Sequence, residues 1–458
     1  MRSFRTPFAA WLTAMASLAL LSCSRDQPPP PLQGAVLIVL DTVRADHLSA
    51  YGYASPTSPE LQKLASDSVV FEQTVSAAPW TRPSIAAILS GRYPVTATGD
   101  ETVTRSLVDV VQRAGYRTAG FTEGGFFSRK FGMDQGFETY AEEKGAIIDP
   151  QPGGGIANTF RQAETWLAEH ASDRFFLLIH TYEPHAPYVS HHFTEGMERG
   201  VIGDRFPIAL LDELQSGRLK LSEAEIAYVQ ALYHGDILHS DHYVGRFRET
   251  LRTLGLADRT LVVVTSDHGE EMAEHMPANV GDHGHSLYDD LLLVPLIVHD
   301  PRVASPVRRV RSQVRTIDVL PTILDLLNVP AEPALDGASL VPVMRGVETA
   351  DREAISGWNR KGKPRASIRA DGYKYLVTVG KTATRPVLQP PPDHELFDLR
   401  QDPGEKRNLY EAQPERAKAM HEILMKRRTE ILKHEAGPAP AGVDREAEER
   451  LRSLGYVH

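Results

Sequence analysis

Residues 261–270 read Leu-Val-Val-Val-Thr-Ser-Asp-His-Gly-Glu, an apolar run that ends directly in an acid and a histidine. A run that is apolar on both faces is typical of a strand buried inside a mostly parallel sheet. Five more such runs lie at residues 35–40, 69–75, 118–122, 175–181 and 295–299. Helical patterns separate them, and this alternation predicts an α/β fold with a large central, mostly parallel sheet sandwiched by helices.

The helical patterns cover residues 59–68, 105–114, 158–170 and 316–327, and a long one opens on the capping box Ser222-Glu223-Ala224-Glu225. Beyond residue 351 the pattern changes to short segments at 366–369, 373–379 and 395–399, then a helical stretch at 414–432. This change predicts a small C-terminal antiparallel sheet plus helix. The change of pattern separates a large α/β domain (34–350) from a C-terminal subdomain with a terminal helix (351–458). The N-terminal residues described below add a signal peptide (1–22) and a Pro-rich tether (23–33).

The composition narrows the functional class. The chain has 458 residues, of which 41% are apolar and 24% charged, as in ordinary globular proteins. Its net charge of −10 argues against a nucleic-acid binder, which needs a basic excess. A single cysteine excludes a disulfide framework and any multi-cysteine metal site. Of the 18 histidines, 13 lie between His170 and His299, which predicts a polar site in that half of the chain. No feature of the sequence indicates an oligomeric state.

The N-terminus has the pattern of an export signal. Arg2 and Arg5 precede a short apolar stretch at 8–21 that runs into Leu-Leu-Ser-Cys at 20–23. This ending resembles the bacterial lipobox, which implies that Cys23 carries lipid and becomes the mature N-terminus. A polyproline run at 28–31 then predicts a stiff tether. We expect a protein of the bacterial cell envelope, anchored in the membrane by its N-terminal lipid, at the periplasmic face or in the outer membrane. A buried helix with a chance cysteine is the alternative.

Acidic and histidine side chains that could bind a ligand or a metal follow three of the predicted strands. Asp41 comes directly after one, Asp267 and His268 after another, and His185 lies just beyond a third. In open α/β sheets, ligands bind beyond the carboxyl ends of the strands. Two carboxylates and an imidazole are suitable ligands for a divalent cation. The sequence therefore predicts a metal site here, with helix or turn capping as the alternative reading of each single acid.

A nucleophile candidate comes from residues 78–92. Pro83 fits the first turn of a helix and Gly91 its end, which places Thr81 just before the helix N-terminus. Free N–H groups and the helix dipole favour an anion at that point. A neighbouring metal would lower the pKa of the Thr81 hydroxyl and make it a nucleophile. A simple N-cap is the alternative.

Taken in order, the motifs resemble one family. They are Asp41-Thr-Val-Arg44-Ala-Asp46-His47, Thr81-x-Pro83-Ser84 with Leu89-Ser90-Gly91-Arg92, Tyr182-Glu183-Pro184-His185, Ser266-Asp267-His268-Gly269-Glu270, His283-Gly284-His285-Ser286-Leu287-Tyr288, Val294-Pro295-Leu296-Ile297, Asp371-Gly372-Tyr373-Lys374-Tyr375 and a Glu395-to-Leu409 segment. Together they span about residues 34–435 and resemble the sulfatase family of the alkaline phosphatase superfamily.

The resemblance implies a hydrolase that cleaves ester bonds in an anionic substrate. It also implies one divalent metal ion bound by Asp41, Asp267 and His268, with Thr81 as a further ligand. The imidazole among these ligands favours manganese or zinc, while calcium and magnesium stay possible.

The resemblance also assigns supporting roles. His185 would contact the transferred group, and either His283 or His285 would protonate the leaving oxygen, since alternate residues of an extended segment face opposite ways. Arg44 would hold the oxyanion or simply pair with Asp46.

The nucleophile position departs from the family. Sulfatases of this family begin the motif with a cysteine or serine that becomes formylglycine, whereas this chain has Thr81 there and Ile85 at the motif arginine. Threonine cannot become formylglycine by that route. We therefore predict that Thr81 attacks directly, on phosphate diesters or phosphonate esters. The alternatives are a sulfuric ester hydrolase without formylglycine, an envelope phospho-group transferase, and a non-catalytic lipoprotein that binds a glycan or partner.

Overall fold

The computed structural model describes residues 31–433, apart from 96–102, 104–105, 144–154, 303–307, 332–334, 382–386 and 389. The predicted signal peptide, Cys23 and most of the tether lie outside the described residues, so the lipid anchor and the envelope location stay predictions. Among the described residues, no helix combines the length and the apolar character needed to cross a membrane.

A nine-stranded sheet forms the centre of the described structure, and a four-stranded and a two-stranded sheet accompany it. The strands are β1 (Gly34–Leu40), β2 (Val69–Val75), β3 (Arg117–Thr122), β4 (Thr139–Glu142), β5 (Phe175–Thr181), β6 (Thr260–Thr265), β7 (Glu271–Met272), β8 (Val280–Asp282), β9 (Leu293–His299), β10 (Arg309–Val310), β11 (Val314–Arg315), β12 (Ala354–Gly357), β13 (Arg365–Ala370), β14 (Tyr373–Thr378) and β15 (His394–Asp398).

The central sheet has the order β10-β2-β9-β6-β1-β5-β3-β4, and β11 also pairs with β2. Strand β1 lies between β6 and β5 and is parallel to both. Strand β9 is antiparallel to its neighbours β2 and β6. The remaining pairs are parallel, which confirms the predicted mostly parallel sheet.

Helices cover both faces of this sheet, and the last helix packs on the C-terminal sheet. They are α1 (Pro59–Ser66), α2 (Thr81–Ser90), α3 (Leu107–Arg113), α4 (Ile156–Glu169), α5 (Ala209–Gln215), α6 (Glu223–Thr253), α7 (Asp289–Leu292), α8 (Val319–Leu326), α9 (Val341–Met344) and α10 (Pro414–Ile431). The long helix α6 begins at the predicted capping box, in which the Ser222 hydroxyl accepts from the Glu225 N–H and the Glu225 carboxylate accepts from the Ser222 N–H.

Alternate residues of β1 explain why the strands are apolar on both faces. Ala35, Leu37 and Val39 enter one core with side chains of α2, α3 and α8. Their neighbours on the same strand enter a second core with side chains of α1, α4 and α6. Each face of the sheet therefore buries its own layer of helices, as expected for a doubly covered sheet.

The C-terminal strands β12–β15 form an antiparallel sheet in chain order. Helix α10 packs on it through Ala417, Met420 and Leu424, which share a core with Ile368 and Tyr375. This arrangement confirms the predicted small antiparallel sheet with a covering helix.

Candidate active site at the strand ends

The strand register brings the predicted metal ligands together. Val39 of β1 is paired with Thr265 of β6, so Asp41 and Asp267 each lie two residues beyond that pair on the same edge of the sheet. Asp41, Asp267 and His268 are fully buried. One ligand atom from each of the three lies within 4.8 Å of those of the other two. The structure thus assembles the three predicted ligands into one cluster.

The donor atoms of this cluster suit a divalent cation. His268 Nε2 lies 3.7 Å from Asp41 Oδ1 and 3.4 Å from Asp267 Oδ2. Both of these buried carboxylate oxygens have no hydrogen-bond partner in the described part of the chain. Tetrahedral zinc, with bonds of about 2.0–2.2 Å to nitrogen and oxygen, keeps its ligands about 3.3–3.5 Å apart. The 3.4 Å separation matches this spacing, the 3.7 Å separation is slightly longer, and the two unsatisfied oxygens can serve as ligands of such an ion.

Burial controls the ionisation of the three ligands. It raises the pKa of Asp41 well above its usual range, and repulsion from Asp267 adds to the rise. Burial also raises the pKa of Asp267 to about 7. It lowers the pKa of His268 to about 3, which keeps this imidazole neutral and able to donate an electron pair. A bound cation would favour the ionised carboxylates, which burial alone disfavours.

Thr81 lies beside this cluster as the first residue of α2, one position further into the helix than predicted, because Trp80 has the extended conformation of the N-cap. The Thr81 hydroxyl is 3.4 Å from Asp41 Oδ2 and 3.4 Å from His268 Nε2. Ser84, one turn later, donates to the Asp267 carbonyl oxygen and ties the helix to the ligand segment. The helix N-terminus therefore presents a buried hydroxyl to the candidate metal ligands.

Two histidines complete the site. The His283 ring lies with its centroid 4.5 Å from that of His268 and 5.0 Å from that of His185. His283 Nδ1 is 2.8 Å from Glu270 Oε1, and the Tyr188 hydroxyl donates to the other oxygen of Glu270 at 2.8 Å. Burial raises the pKa of Glu270 well above its usual range and lowers that of His283 well below. Glu270 and His283 therefore form a buried hydrogen-bonded pair in which burial disfavours the charged form of each group.

His185 has a defined tautomer, because its Nδ1 donates to the Ala186 carbonyl oxygen at 2.6 Å. Burial lowers the pKa of His185 to about 4, so the ring is neutral near pH 7. The structure places this predicted residue against His283, at the edge of the cluster.

The structure separates His283 from His285, which the sequence left as alternatives. His285 points to a different set of partners: its Nε2 lies 2.7 Å from Glu271 Oε2, and its Nδ1 lies 3.5 Å from Asp282 Oδ2. Although burial opposes it, the bond to Glu271 raises the pKa of His285. His285 is thus held by acids of its own, and the ring contact with His268 makes His283 the stronger candidate for the catalytic acid.

The predicted role of Arg44 in holding the oxyanion is also corrected. Its Nε and Nη2 donate to the two oxygens of Asp46. Its Nη1 donates to Glu274 and to the Glu270 carbonyl oxygen. Since four of its five N–H donors are engaged within the protein, the second of the two predicted roles, pairing with Asp46, describes this residue.

Two residues near the cluster were not singled out from the sequence. His180, on β5, has Nε2 3.1 Å from Asp41 Oδ2. Glu270 holds His283, as described above. Their positions in the sequence could have indicated both residues. His180 is the next-to-last residue of an apolar strand, and Glu270 follows Asp267-His268-Gly269.

The site combines a buried acid–imidazole cluster with a hydroxyl at a helix N-terminus, and it lies at the carboxyl ends of the strands of a covered α/β sheet. This combination is typical of metal-assisted hydrolases. The chain belongs to the sulfatase family, whose model (Sulfatase) matches residues 33–329. A second model, N-sulphoglucosamine sulphohydrolase C-terminal, matches residues 281–434. The protein is accordingly a hydrolase of ester bonds.

The alignments with similar proteins cover most of the chain. The Delta 4,5-hexuronate-2-O-sulfatase of Bacteroides thetaiotaomicron is 26% identical over 420 residues, which cover 80% of this chain and 83% of that protein. An arylsulfatase of Clostridium perfringens is 24% identical over 465 residues, covering 85% and 93%. The solved phosphonate monoester hydrolase of Agrobacterium radiobacter has a similar fold, with a TM-score of 0.69 and 21% identity over 88% of this chain and 96% of that one.

Proposed function

We propose that this sulfatase-family hydrolase cleaves phosphate diesters or phosphonate esters with Thr81 as the nucleophile. The observation that supports this most strongly is the Thr81 hydroxyl, buried 3.4 Å from both Asp41 and His268. When bound by Asp41, Asp267 and His268, a divalent cation would supply positive charge for the attacking oxygen and the ester oxygens. Zinc or manganese is the ion that an imidazole-containing ligand set favours.

In the first step, Thr81 Oγ1 forms a bond to phosphorus and the bond from phosphorus to the leaving oxygen breaks. The hydroxyl proton passes to Asp41 Oδ2, the carboxylate oxygen that faces Thr81. The leaving oxygen takes a proton from His283, which Glu270 replenishes through Nδ1. The positive end of the α2 dipole, where Thr81 lies, favours the negative charge that develops on the ester oxygens.

In the second step, water attacks phosphorus and the bond between phosphorus and Thr81 Oγ1 breaks. One water proton returns to the Glu270–His283 pair, and Thr81 regains its proton from Asp41. Each group ends in its starting state. His185, packed against His283, would contact the transferred group through Nε2.

The residues at the nucleophile motif favour phosphorus over sulfur. A formylglycine hydrate releases sulfate by collapsing to an aldehyde, and a threonine side chain has no such exit. Ile85, where the family motif has arginine, is buried in the apolar core with Leu37 and Ile88. A phosphoryl group on Thr81 can instead be displaced directly by water.

A sulfuric ester hydrolase is the second candidate, because the similar full-length proteins are named as sulfatases. The two candidates are separated by comparing an aryl phosphodiester, a phenylphosphonate ester and an aryl sulfate on one preparation. We expect both phosphorus esters to exceed the sulfate in kcat/KM by at least about tenfold, or about 1.4 kcal/mol of transition-state stabilisation.

Metal dependence belongs to the same experiment. Dialysis against a chelator should abolish turnover of the phosphorus esters, and zinc or manganese should restore it better than calcium or magnesium. Preferential turnover of the aryl sulfate would contradict the proposal, as would activity that resists the chelator. An added alcohol tests the transferase alternative, which predicts an alcohol ester as the main product in place of the hydrolysed acid.

A further inference from the structure

His180 is a buried polar residue next to the proposed metal ligands, with no role in the steps above. It is fully buried in β5, where it is paired with Val39 of the neighbouring β1. Its ring packs against Phe127 and Tyr182, with centroid distances of 4.5 and 4.7 Å. Its Nε2 lies 3.1 Å from Asp41 Oδ2. The ring is therefore clamped by aromatic neighbours with one nitrogen aimed at a ligand carboxylate.

The hydrogen-bond pattern defines which nitrogen carries the proton. A carboxylate accepts, so His180 Nε2–H donates to Asp41 and Nδ1 is unprotonated. His180 Nδ1 is buried and finds no hydrogen-bond donor in the described structure. A buried polar atom without a hydrogen-bond partner destabilises the folded state. A phenylalanine would fill an aromatic pocket without that cost, so packing alone does not account for an imidazole here.

The two oxygens of Asp41 have different surroundings. Oδ2 accepts from His180 and faces the Thr81 hydroxyl, whereas Oδ1 lies 3.7 Å from His268 Nε2 and has no hydrogen-bond partner among the described residues. Rotation of the carboxylate would exchange these two oxygens. The bond from His180 opposes that rotation.

We propose that His180 is a positioning residue that holds Asp41 Oδ2, so that Oδ1 is directed to the metal and Oδ2 to the Thr81 hydroxyl. This inference rests on the metal site of the proposed function and adds a residue that orients one of its ligands. Hydrogen bonds of this kind from outside the ligand set typically change metal affinity by about 10–100-fold.

Three variants test the role of Nε2–H. His180→Phe keeps an aromatic ring and removes the donor. His180→Gln places an amide nitrogen at about the reach of Nε2, whereas His180→Asn places it nearer the position of Nδ1. The readout is the affinity for zinc, measured without substrate by competition with a chromophoric chelator. We expect His180→Phe and His180→Asn to bind zinc about 10–100-fold more weakly than the wild type, and His180→Gln to recover most of the loss.

A cobalt absorption spectrum separates positioning from direct ligation. We expect His180→Gln to keep the wild-type spectrum when saturated with cobalt, because the ligand set is unchanged. A changed spectrum in His180→Gln would make His180 a ligand and overturn the proposal. Wild-type zinc affinity in His180→Asn would also overturn it, leaving only packing. If His180→Phe does not fold, the Asn and Gln pair still decides the question. Since none of these readouts uses turnover, they stay separate from tests of Thr81.

Discussion

Replacing Thr81 with alanine should reduce kcat/KM for an aryl phosphodiester by at least about a thousandfold, because no other hydroxyl in this chemistry would form the bond to phosphorus. The side chain is buried beside Asp41 and His268, so alanine removes the oxygen and one methyl group. Initial rates on metal-loaded enzyme measure the effect.

The matched control for this prediction is Thr81→Ser, which keeps the hydroxyl on the first residue of α2. We expect it to retain activity within about tenfold of the wild type, since only a methyl group is lost. Zinc content should be measured in both variants to show that a loss of rate is not a loss of metal. A Thr81→Ala enzyme with more than a tenth of the wild-type rate would remove Thr81 from the mechanism.

Replacing Lys374 with methionine should lower the free energy of unfolding by about 3–5 kcal/mol, since it leaves the buried Glu405 without its counter-ion and Asp289 with Arg369 alone. Lys374 Nζ lies 2.7 Å from Asp289 Oδ1 and 2.9 Å from Glu405 Oε1, and all three side chains are buried. Burial opposes the charge on Lys374, but Asp289 and Glu405 outweigh it and raise its pKa, so the charge persists at neutral pH. Urea unfolding at pH 7 measures the loss.

Two controls accompany the Lys374 variant. Lys63→Ala breaks the pair with Glu60, in which the lysine side chain is 66% exposed, and should cost no more than about 1 kcal/mol. Adding Glu405→Gln to Lys374→Met removes a buried charge that has lost its counter-ion, and should recover part of the lost free energy of unfolding. If Lys374→Met and Lys63→Ala destabilised the protein equally, the buried ion pairs of Lys374 would stabilise the fold no more than an exposed pair does.

The central strands could be predicted because they are buried on both faces. The six apolar runs correspond to β1, β2, β3, β5, β6 and β9 with ends that agree within two residues. The short strands β4, β10 and β11 were missed, because β4 is half-buried and the other two contain only two residues each. The antiparallel direction of β9 was not predictable either, since an apolar run has no direction; the chain connection sets it.

The metal cluster was predictable for a different reason. Parallel strands in register bring the residues after their carboxyl ends to one edge, so Asp41 and Asp267 could be placed together from their positions alone. Strand register gives no direction for a side chain in a loop. It therefore left His283 and His285 as alternatives, left two roles for Arg44, and gave no sign that Glu270 and His180 each bind a neighbour in the site.

The stereochemical course at phosphorus distinguishes a covalent intermediate on Thr81 from direct attack by water. A phosphorothioate diester of known configuration would be hydrolysed in water enriched in heavy oxygen, and the configuration of the chiral product determined. Attack by Thr81 followed by attack by water gives two in-line displacements, so we predict overall retention. Overall inversion would show that water attacks phosphorus directly and would contradict a covalent intermediate on Thr81.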